Sequence, residues 1–312
     1  MNKQLAFLFP GQGSQNVGML ADAADNFPLV KDTFAEASTA LGYDLWQLAS
    51  EGPQQQQNLT EKTQPLLLTA SVALWRVWCQ LSEIRPALMA GHSLGEFTAL
   101  ACAESLRFTD AVRLVQQRGN FMQTAVPVGE GAMAAIIGLE DAAINEICAS
   151  LSCDGQVVAA VNYNSPGQVV IAGHAQAVEQ ANEKLKAAGA KRALPLPVSA
   201  PFHTSLMQPA GVQLQDLLSS VEIATPKFPI IQNVTAQAEQ NAEQIRQLLV
   251  QQISSPVQWV ACVKTMQDAG ITQLVECGPG KVLSGLNRRI DKSLQSFNLE
   301  QAADFAHVQE SL

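Results

Sequence analysis

The stretch from Ala87 to Cys102, ALMAGHSLGEFTALAC, limits the possible folds more than any other part of the chain. Ala87–Ala90 are small or apolar and suit a short buried strand, whereas Glu96–Cys102 suit a helix. Between them lies Gly91-His92-Ser93-Leu94-Gly95. Strand, G-x-S-x-G and helix in that order predict a nucleophile elbow, a turn too tight for large side chains beside the serine. The glycines relieve that crowding, and the turn lifts Ser93 Oγ clear of the backbone at a helix N-terminus. Amide N–H groups and the helix dipole there favour a developing negative charge. The five-residue pattern alone arises by chance in about one chain in ten of this length. The flanking strand and helix make it informative. The competing reading is an ordinary glycine turn carrying a surface serine.

The elbow needs a sheet to sit in, and the chain is long enough to build one. Its 312 residues are 47 % hydrophobic and only 15 % charged, which predicts a compact, heavily buried protein with one big domain and a smaller partner. A net charge of −9 argues against nucleic acid as a partner, because phosphate binding needs a basic face. The N-terminal apolar run Leu5–Phe9 stops at Pro10-Gly11, too short for a signal h-region or a membrane span. Six scattered cysteines (Cys79, Cys102, Cys148, Cys153, Cys262, Cys277), with no C-x-x-C, read as buried thiols in a reducing cytosol. A cytoplasmic protein with no metal and no membrane contact is expected.

In chain order, Leu5–Phe9 predicts a continuous strand opening onto the loop Pro10-Gly11-Gln12-Gly13-Ser14-Gln15. That loop lacks the lysine of a P-loop, and its place after a strand suits backbone donors better than a phosphate cradle. Helical spacing follows over Val30–Leu41 and Leu66–Leu81. The polar stretch Glu51–Gln64 between them reads as a solvated loop or short helix. Thr109 can N-cap a helix running to Arg118 and Phe121. From Val128 the rhythm changes: strand (Ala132–Gly138), helix (Glu140–Ser150), strand (Val157–Asn162), strand (Gln168–Gly173), helix (Ala175–Ala188), strand (Lys191–Leu196). That β-α-β-β-α-β order is the split βαβ pattern of a ferredoxin-like unit. Residues 128–197 are therefore expected as an inserted small domain, with 1–127 and 198–312 forming the large one.

After the insert, a loop from Ser199 to Thr204 leads into a helix around Ser205–Leu218. Phe228–Asn233 reads as a strand, Ala242–Ile253 and Pro256–Gly270 as helices, Gln273–Cys277 as a strand and Val282–Ile290 as a helix. The tail from Asp291 is weakly patterned, with at most a short helix. Strands alternating with helices on both sides of the insert predict a mostly parallel, α/β-hydrolase-like sheet.

A serine nucleophile needs a base, and the chain has four histidines. His92 adjoins Ser93 inside the turn, where successive side chains diverge. His174 follows a strand of the insert, and His307 lies in the tail. His203 remains, between Phe202 and a helix start; the plain alternative is a loop histidine bonded to backbone. Acid partners are harder to find, since Asp110, Asp141 and Asp154 all sit at helix starts or turns. Arg118 closes an apolar helical run just before Gly119. It can neutralise a helix C-terminus or clamp a substrate carboxylate in bidentate fashion.

Seven motifs in order then amount to a resemblance: Phe9-Pro10-Gly11-Gln12-Gly13-Ser14-Gln15, Thr63-Gln64-Pro65, Gly91-His92-Ser93-Leu94-Gly95-Glu96, Arg118-Gly119, Asn164-Ser165-Pro166-Gly167-Gln168, Pro201-Phe202-His203 and Gly278-Pro279-Gly280. Together, from residue 5 to about 290, they resemble the malonyl-CoA:acyl carrier protein transacylases of bacterial fatty acid synthesis. More distantly they resemble acyltransferase domains of polyketide and animal fatty acid synthases. The resemblance implies that Ser93 carries the acyl group, that His203 is its base, and that the amides of Gln12 and Leu94 form the oxyanion hole. It implies that Arg118 holds the malonyl carboxylate and that the Gln252 carbonyl orients the histidine in place of an acid. Gln64 and Phe202 would line the pocket, and Gln168 and Arg192 would contact coenzyme A. Malonyl-CoA would be the donor substrate, no cofactor would be bound, and an acidic acyl carrier protein would dock transiently on a monomer through a basic face. Lys184, Lys186, Lys191 and Arg192, or Lys281, Arg288, Arg289 and Lys292, are the candidates for that face; the plain alternative is solvated helix surface. Two other functions stay open at this point. A serine esterase or thioesterase would need an acid partner for His203, and a non-catalytic carrier-binding module would not need Ser93 and His203 together.

Overall fold

A computed structural model describes residues 2–153, 155–198 and 200–312. Among the described residues ten strands form two sheets: β1 (Asn2–Phe9), β2 (Pro86–Gly91), β3 (Gly131–Ile137), β4 (Val158–Ser165), β5 (Gln168–His174), β6 (Arg192–Pro195), β7 (Ile230–Ile231), β8 (Ala238–Glu239), β9 (Gln273–Cys277) and β10 (Gln295–Leu299). The large sheet has the order β10-β9-β1-β2-β7-β8. All its pairs are parallel except the edge pair of β7 with β8. The small sheet, β4-β5-β3-β6, is antiparallel throughout. That is the strand order of a ferredoxin-like unit, as the alternation of elements in the insert predicts.

The central strand shows why an uninterrupted apolar run belongs in a parallel sheet. Leu5 to Phe9 are all fully buried, but on two faces. Leu5, Phe7 and Phe9 join one core with Trp75 and Trp78, while Ala6 and Leu8 join another with Trp259 and Leu274. In the small sheet the alternation divides the faces differently. Ala134, Ile136, Val169 and Ile171 pack under the helices Asp141–Leu151 and Ala175–Ala187. Met133, Val161, Val170 and Ala172 face the large body and share its core.

β1 and β2 end in register, with Phe9 opposite Gly91. The loop after β1 and the elbow after β2 therefore emerge side by side at the carboxyl edge of the sheet, where open α/β sheets place their ligands.

Several expectations need correction. Phe228–Asn233 contributes only the two paired residues of β7, and Pro256–Gly270 is helical only from Trp259 to Asp268. The tail is not merely a short helix. β10 extends the large sheet in parallel beside β9, and a helix follows over Ala302–Ser311. The glutamine stretch takes the short-helix alternative over Gln54–Gln57, with Gln57 fully buried and its Nε2 donating to Leu48 O at 2.7 Å. The helix carrying Arg118 has Arg107, not Thr109, at its N-cap, and runs on from Phe108 to Thr124. Arg118 is therefore not at a helix end. Cys153 is exposed and Cys79 half-buried, so only four of the six thiols are core residues. Asp154 and Ser199 lie outside the described residues. No described helix is long and apolar enough to cross a membrane.

Candidate functional site

Ser93 stands between β2 and the helix Leu94–Cys102 with φ 52° and ψ −105°, a conformation L residues rarely adopt. The flanking glycines are required by contact. A Cβ on Gly91 would lie 1.9 Å from the Gly95 carbonyl carbon, and one on Gly95 would lie 2.1 Å from Phe9 O. Ser93 Oγ donates to His203 Nε2 at 2.8 Å. His203 also has positive φ, 64°, and its Nδ1 lies 2.9 Å from the backbone carbonyl of Gln252. A carbonyl can only accept, so Nδ1 carries the proton and Nε2 is the bare nitrogen facing the serine. No carboxylate contacts His203 among the described residues; Asp110 instead pairs with Arg107 at 2.7 Å on the surface.

Arg118 reaches the same point from the Phe108–Thr124 helix. Gly119 brings that helix close, since a Cβ there would lie 2.6 Å from Thr60 O at the start of the Thr60–Leu81 helix. Arg118 is 1 % exposed. Its Nη1 donates to Gln64 Oε1 at 2.8 Å, and its Nη2 to Gln252 Oε1 at 2.8 Å and to Ser93 Oγ at 3.2 Å. The guanidinium lies over the Phe97 ring, 5.1 Å from its centre. Two neutral amides hold this cation, and among the described residues it forms no ion pair. A cavity of about 110 Å³ joins these groups, lined by Gln12, Leu94, Gln64, Met122 and Phe202 besides Ser93, His203 and Arg118. From the small sheet and the return segment come Met133, Asn162, Leu196 and Val198. A serine hydroxyl on a neutral imidazole, inside a small cavity with a buried cation, suits covalent capture of a short anionic acyl group.

The family model for the acyl transferase domain matches residues 6–304. The chain belongs to the acyl transferase domain family. This acyltransferase is 57 % identical over 300 residues to the malonyl CoA-acyl carrier protein transacylase of Salmonella typhimurium, covering 96 % of this chain and 97 % of that protein. Among solved structures, an acyl carrier protein S-malonyltransferase from Vibrio cholerae superposes with a TM-score of 0.95 at 53 % identity, covering 98 % of this chain and 99 % of that one. A malonyl-transacylase solved in complex with a type II PKS acyl-carrier protein superposes at 0.97 with 51 % identity, covering 99 % of this chain and all of that one.

Burial sets the charge states in this candidate site. Desolvation, with the Arg118 charge second, pushes His203 down to about 3, so the imidazole is neutral at neutral pH. Arg118 is lowered to about 10 by burial, partly offset by Glu96, and stays charged. Burial raises Glu96 to about 7 against the opposing pull of the Asn233 backbone N–H, Gln252 and Arg118.

Of the residues singled out from sequence, eight line this site or bond to it: Ser93, His203, Gln252, Gln12, Leu94, Arg118, Gln64 and Phe202. Gln168 and Arg192 do not line the cavity. They stand at one end of the small sheet, both opposite Ile137 of β3 on its two sides, and Gln168 Oε1 accepts from Arg289 Nη1. His92, set aside as a base, bonds Asn164 Oδ1 through Nε2 at 2.8 Å. His174 N-caps its helix and accepts the Val157 N–H.

Sequence reasoning missed the Gln252 side chain, which donates to Ser93 O at 3.1 Å as well as accepting from Arg118. It also missed Asn162, whose buried Oδ1 has no hydrogen-bond partner among the described residues, and Asn233, which bonds the elbow backbone. The Glu96 in the elbow motif was the one available signal, a carboxylate in an apolar helix that needs a buried partner.

Proposed function

We propose that this acyltransferase moves malonyl from malonyl-CoA to the phosphopantetheine thiol of an acyl carrier protein through a malonyl-Ser93 intermediate. The observation that carries the reading is Arg118: a buried guanidinium in no ion pair with a carboxylate among the described residues, 3.2 Å from the serine oxygen. A malonyl carboxylate would replace the two amide contacts with a charge-assisted bidentate pair and set the thioester carbonyl beside Ser93. The relatives, a malonyl CoA-acyl carrier protein transacylase and an acyl carrier protein S-malonyltransferase, are named for that substrate.

In the first half-reaction Ser93 Oγ attacks the thioester carbonyl while His203 Nε2 takes its proton. Amides of Gln12 and Leu94, both lining the cavity, receive the oxyanion. The C–S bond breaks, and the coenzyme A thiolate leaves with the proton from His203. In the second half-reaction the carrier thiol gives its proton to His203 and attacks the serine ester; as the C–O bond breaks, His203 returns that proton to Ser93 Oγ. The Gln252 carbonyl orients the imidazole without supplying an acid's charge, so the base is weaker than in a triad. A thiol of pKa about 8.5 tolerates that weakness far better than water at about 15.7, which favours transfer over hydrolysis.

The insert over 128–197 would form one wall of the donor site, with Gln168 and Arg192 toward the coenzyme A end. Lys281, Arg288 and Lys292 line an open groove of about 500 Å³, and Arg289 joins it to Gln168. Among the described residues none of these cations makes an ion pair, which suits an acidic carrier. The test is intact-mass spectrometry after incubation with malonyl-CoA. One malonyl group on Ser93 is expected, absent in Ser93→Ala; an adduct on Cys102 or any other residue overturns the assignment.

A further inference from the structure

Both halves of that reaction need the Ser93 hydroxyl in one place, yet its backbone is held where a non-glycine residue does not stay unaided. Conformations of this kind persist only where the surroundings over-determine them. The helix side contributes Glu96 N–H to Ser93 O at 3.1 Å and Gly95 N–H to His92 O at 2.9 Å. Gln252 Nε2 adds a donor to Ser93 O at 3.1 Å, and the Asn233 side chain bridges the turn. Asn233 Nδ2 donates to Gly91 O at 2.7 Å, and Asn233 Oδ1 accepts the Ser93 N–H at 2.6 Å.

Asn233 is itself immobilised. It is fully buried, its N–H donates to Glu96 Oε2 at 2.7 Å, and its carbonyl accepts the Gln258 N–H at 3.1 Å. β7 pairs with β2 only over Met89–Ala90, so backbone pairing stops before the elbow begins. The Asn233 amide supplies the next donor and acceptor in place of a strand.

Resting on the proposed role of Ser93, we propose that Asn233 is a positioning residue that holds the nucleophile by bridging Gly91 O and Ser93 N, with Glu96 as its anchor. Only a carboxamide offers a donor and an acceptor side by side. Aspartate would set a second acceptor against Gly91 O, and alanine would leave a buried N–H and C=O unpaired. The bridge also occupies the serine's own amide, which leaves Leu94 and Gln12 as the oxyanion donors.

The experiment is single-turnover acylation by malonyl-CoA, with circular dichroism to follow folding. The proteins are wild type, Asn233→Asp, Asn233→Ala, Glu96→Gln and Glu96→Ala. Wild type without an adduct on Ser93 would refute the proposed function itself; the other outcomes address Asn233 alone. Misplacing the hydroxyl should lower the limiting acylation rate of both Asn233 variants about a hundredfold, with half-saturating malonyl-CoA within about threefold of wild type. Glu96→Gln keeps an acceptor for the Asn233 N–H and should recover about tenfold of the rate lost in Glu96→Ala. Folded Asn233 variants that acylate at the wild-type limiting rate, or that lose only affinity, overturn the proposal. If the Asn233 variants do not fold, the Glu96 pair decides: equal rates for Gln and Ala overturn it, and recovery by Gln supports it.

Discussion

The two sheets share one cavity and contribute to it in different ways. The large sheet delivers its groups from loops beyond the carboxyl ends of β1, β2 and β7: Gln12, the strained Ser93, Leu94 and the Asn233 bridge. Ser93 and Asn233 are held by hydrogen bonds, and two residues at the centre, Ser93 and His203, sit at positive φ. The small sheet contributes ordinary alternation. Met133 turns toward the cavity while its neighbour Ala134 turns toward the helices, and no strained residue is needed. Chemistry that depends on aimed atoms is built from over-determined turns. A wall that depends on shape can be built from any well-packed strand face. Substitutions in the first region should therefore act on rate, and those in the second on selectivity.

The largest expected effect tests the strained region. His203→Ala should lower transfer to the carrier by about a thousandfold or more, whereas Asp110→Asn and Asp141→Asn should stay within about tenfold of wild type. Steady-state transfer assays decide this, and an aspartate variant as damaged as His203→Ala would reinstate an acid partner and the hydrolase reading.

Arg118→Ala comes next. Removing one partner of a buried charged pair should cost roughly 3–5 kcal/mol, or two to four decades in kcat/KM for malonyl-CoA. Acetyl-CoA brings no carboxylate, so its acylation rate should hold or rise. Parallel loss on both thioesters, in single-turnover measurements, would remove the clamp.

A smaller effect concerns stability. His203 is lowered in the folded state to about 3, so below pH 6.5 the unfolded chain takes up a proton there that the folded chain does not. That contribution is fully present above pH 6.5 and shrinks as the pH falls, by about 2 kcal/mol at pH 5. Denaturant unfolding at pH 7 and pH 5 should thus show a smaller acid loss in His203→Ala than in wild type, by about that amount. Glu96 acts with the opposite sign, since burial raises it to about 7, and it is common to both proteins. Equal acid losses would mean that His203 is not buried neutral.

The smallest effect belongs to the shaped wall. Met133→Ala should relax discrimination between malonyl and methylmalonyl thioesters by about tenfold while malonyl transfer stays within about tenfold of wild type. Competition between the two donors measures it. A loss of rate as large as that of His203→Ala would erase the distinction between the two regions.

Much of the site was legible because its signals are local. The elbow could be read from sixteen consecutive residues, and the ferredoxin-like insert from the order of its elements. Legibility failed where partners are distant or patterns weak. Asn233 reads as the end of a strand, and its partner Ser93 is 140 positions away. Arg118 reads as a helix end because glycine follows it, but that glycine serves helix packing. β10, with the sequence QSFNL, is a half-exposed edge strand without a clear apolar face, so its place in the sheet was not visible.

By itself the sequence determined the tight serine turn, the buried central strand and the alternation of elements, because steric crowding and hydrophobic periodicity act over a few residues. The family resemblance, and not the residues themselves, implied the glutamine carbonyl behind His203; only the tertiary structure decided that two amides and no carboxylate among the described residues hold Arg118, and that an asparagine bridges the elbow. Those are choices among hydrogen-bond partners brought from 49 to 140 positions apart. Packing alone settles which of many chemically equivalent groups arrives at the right distance.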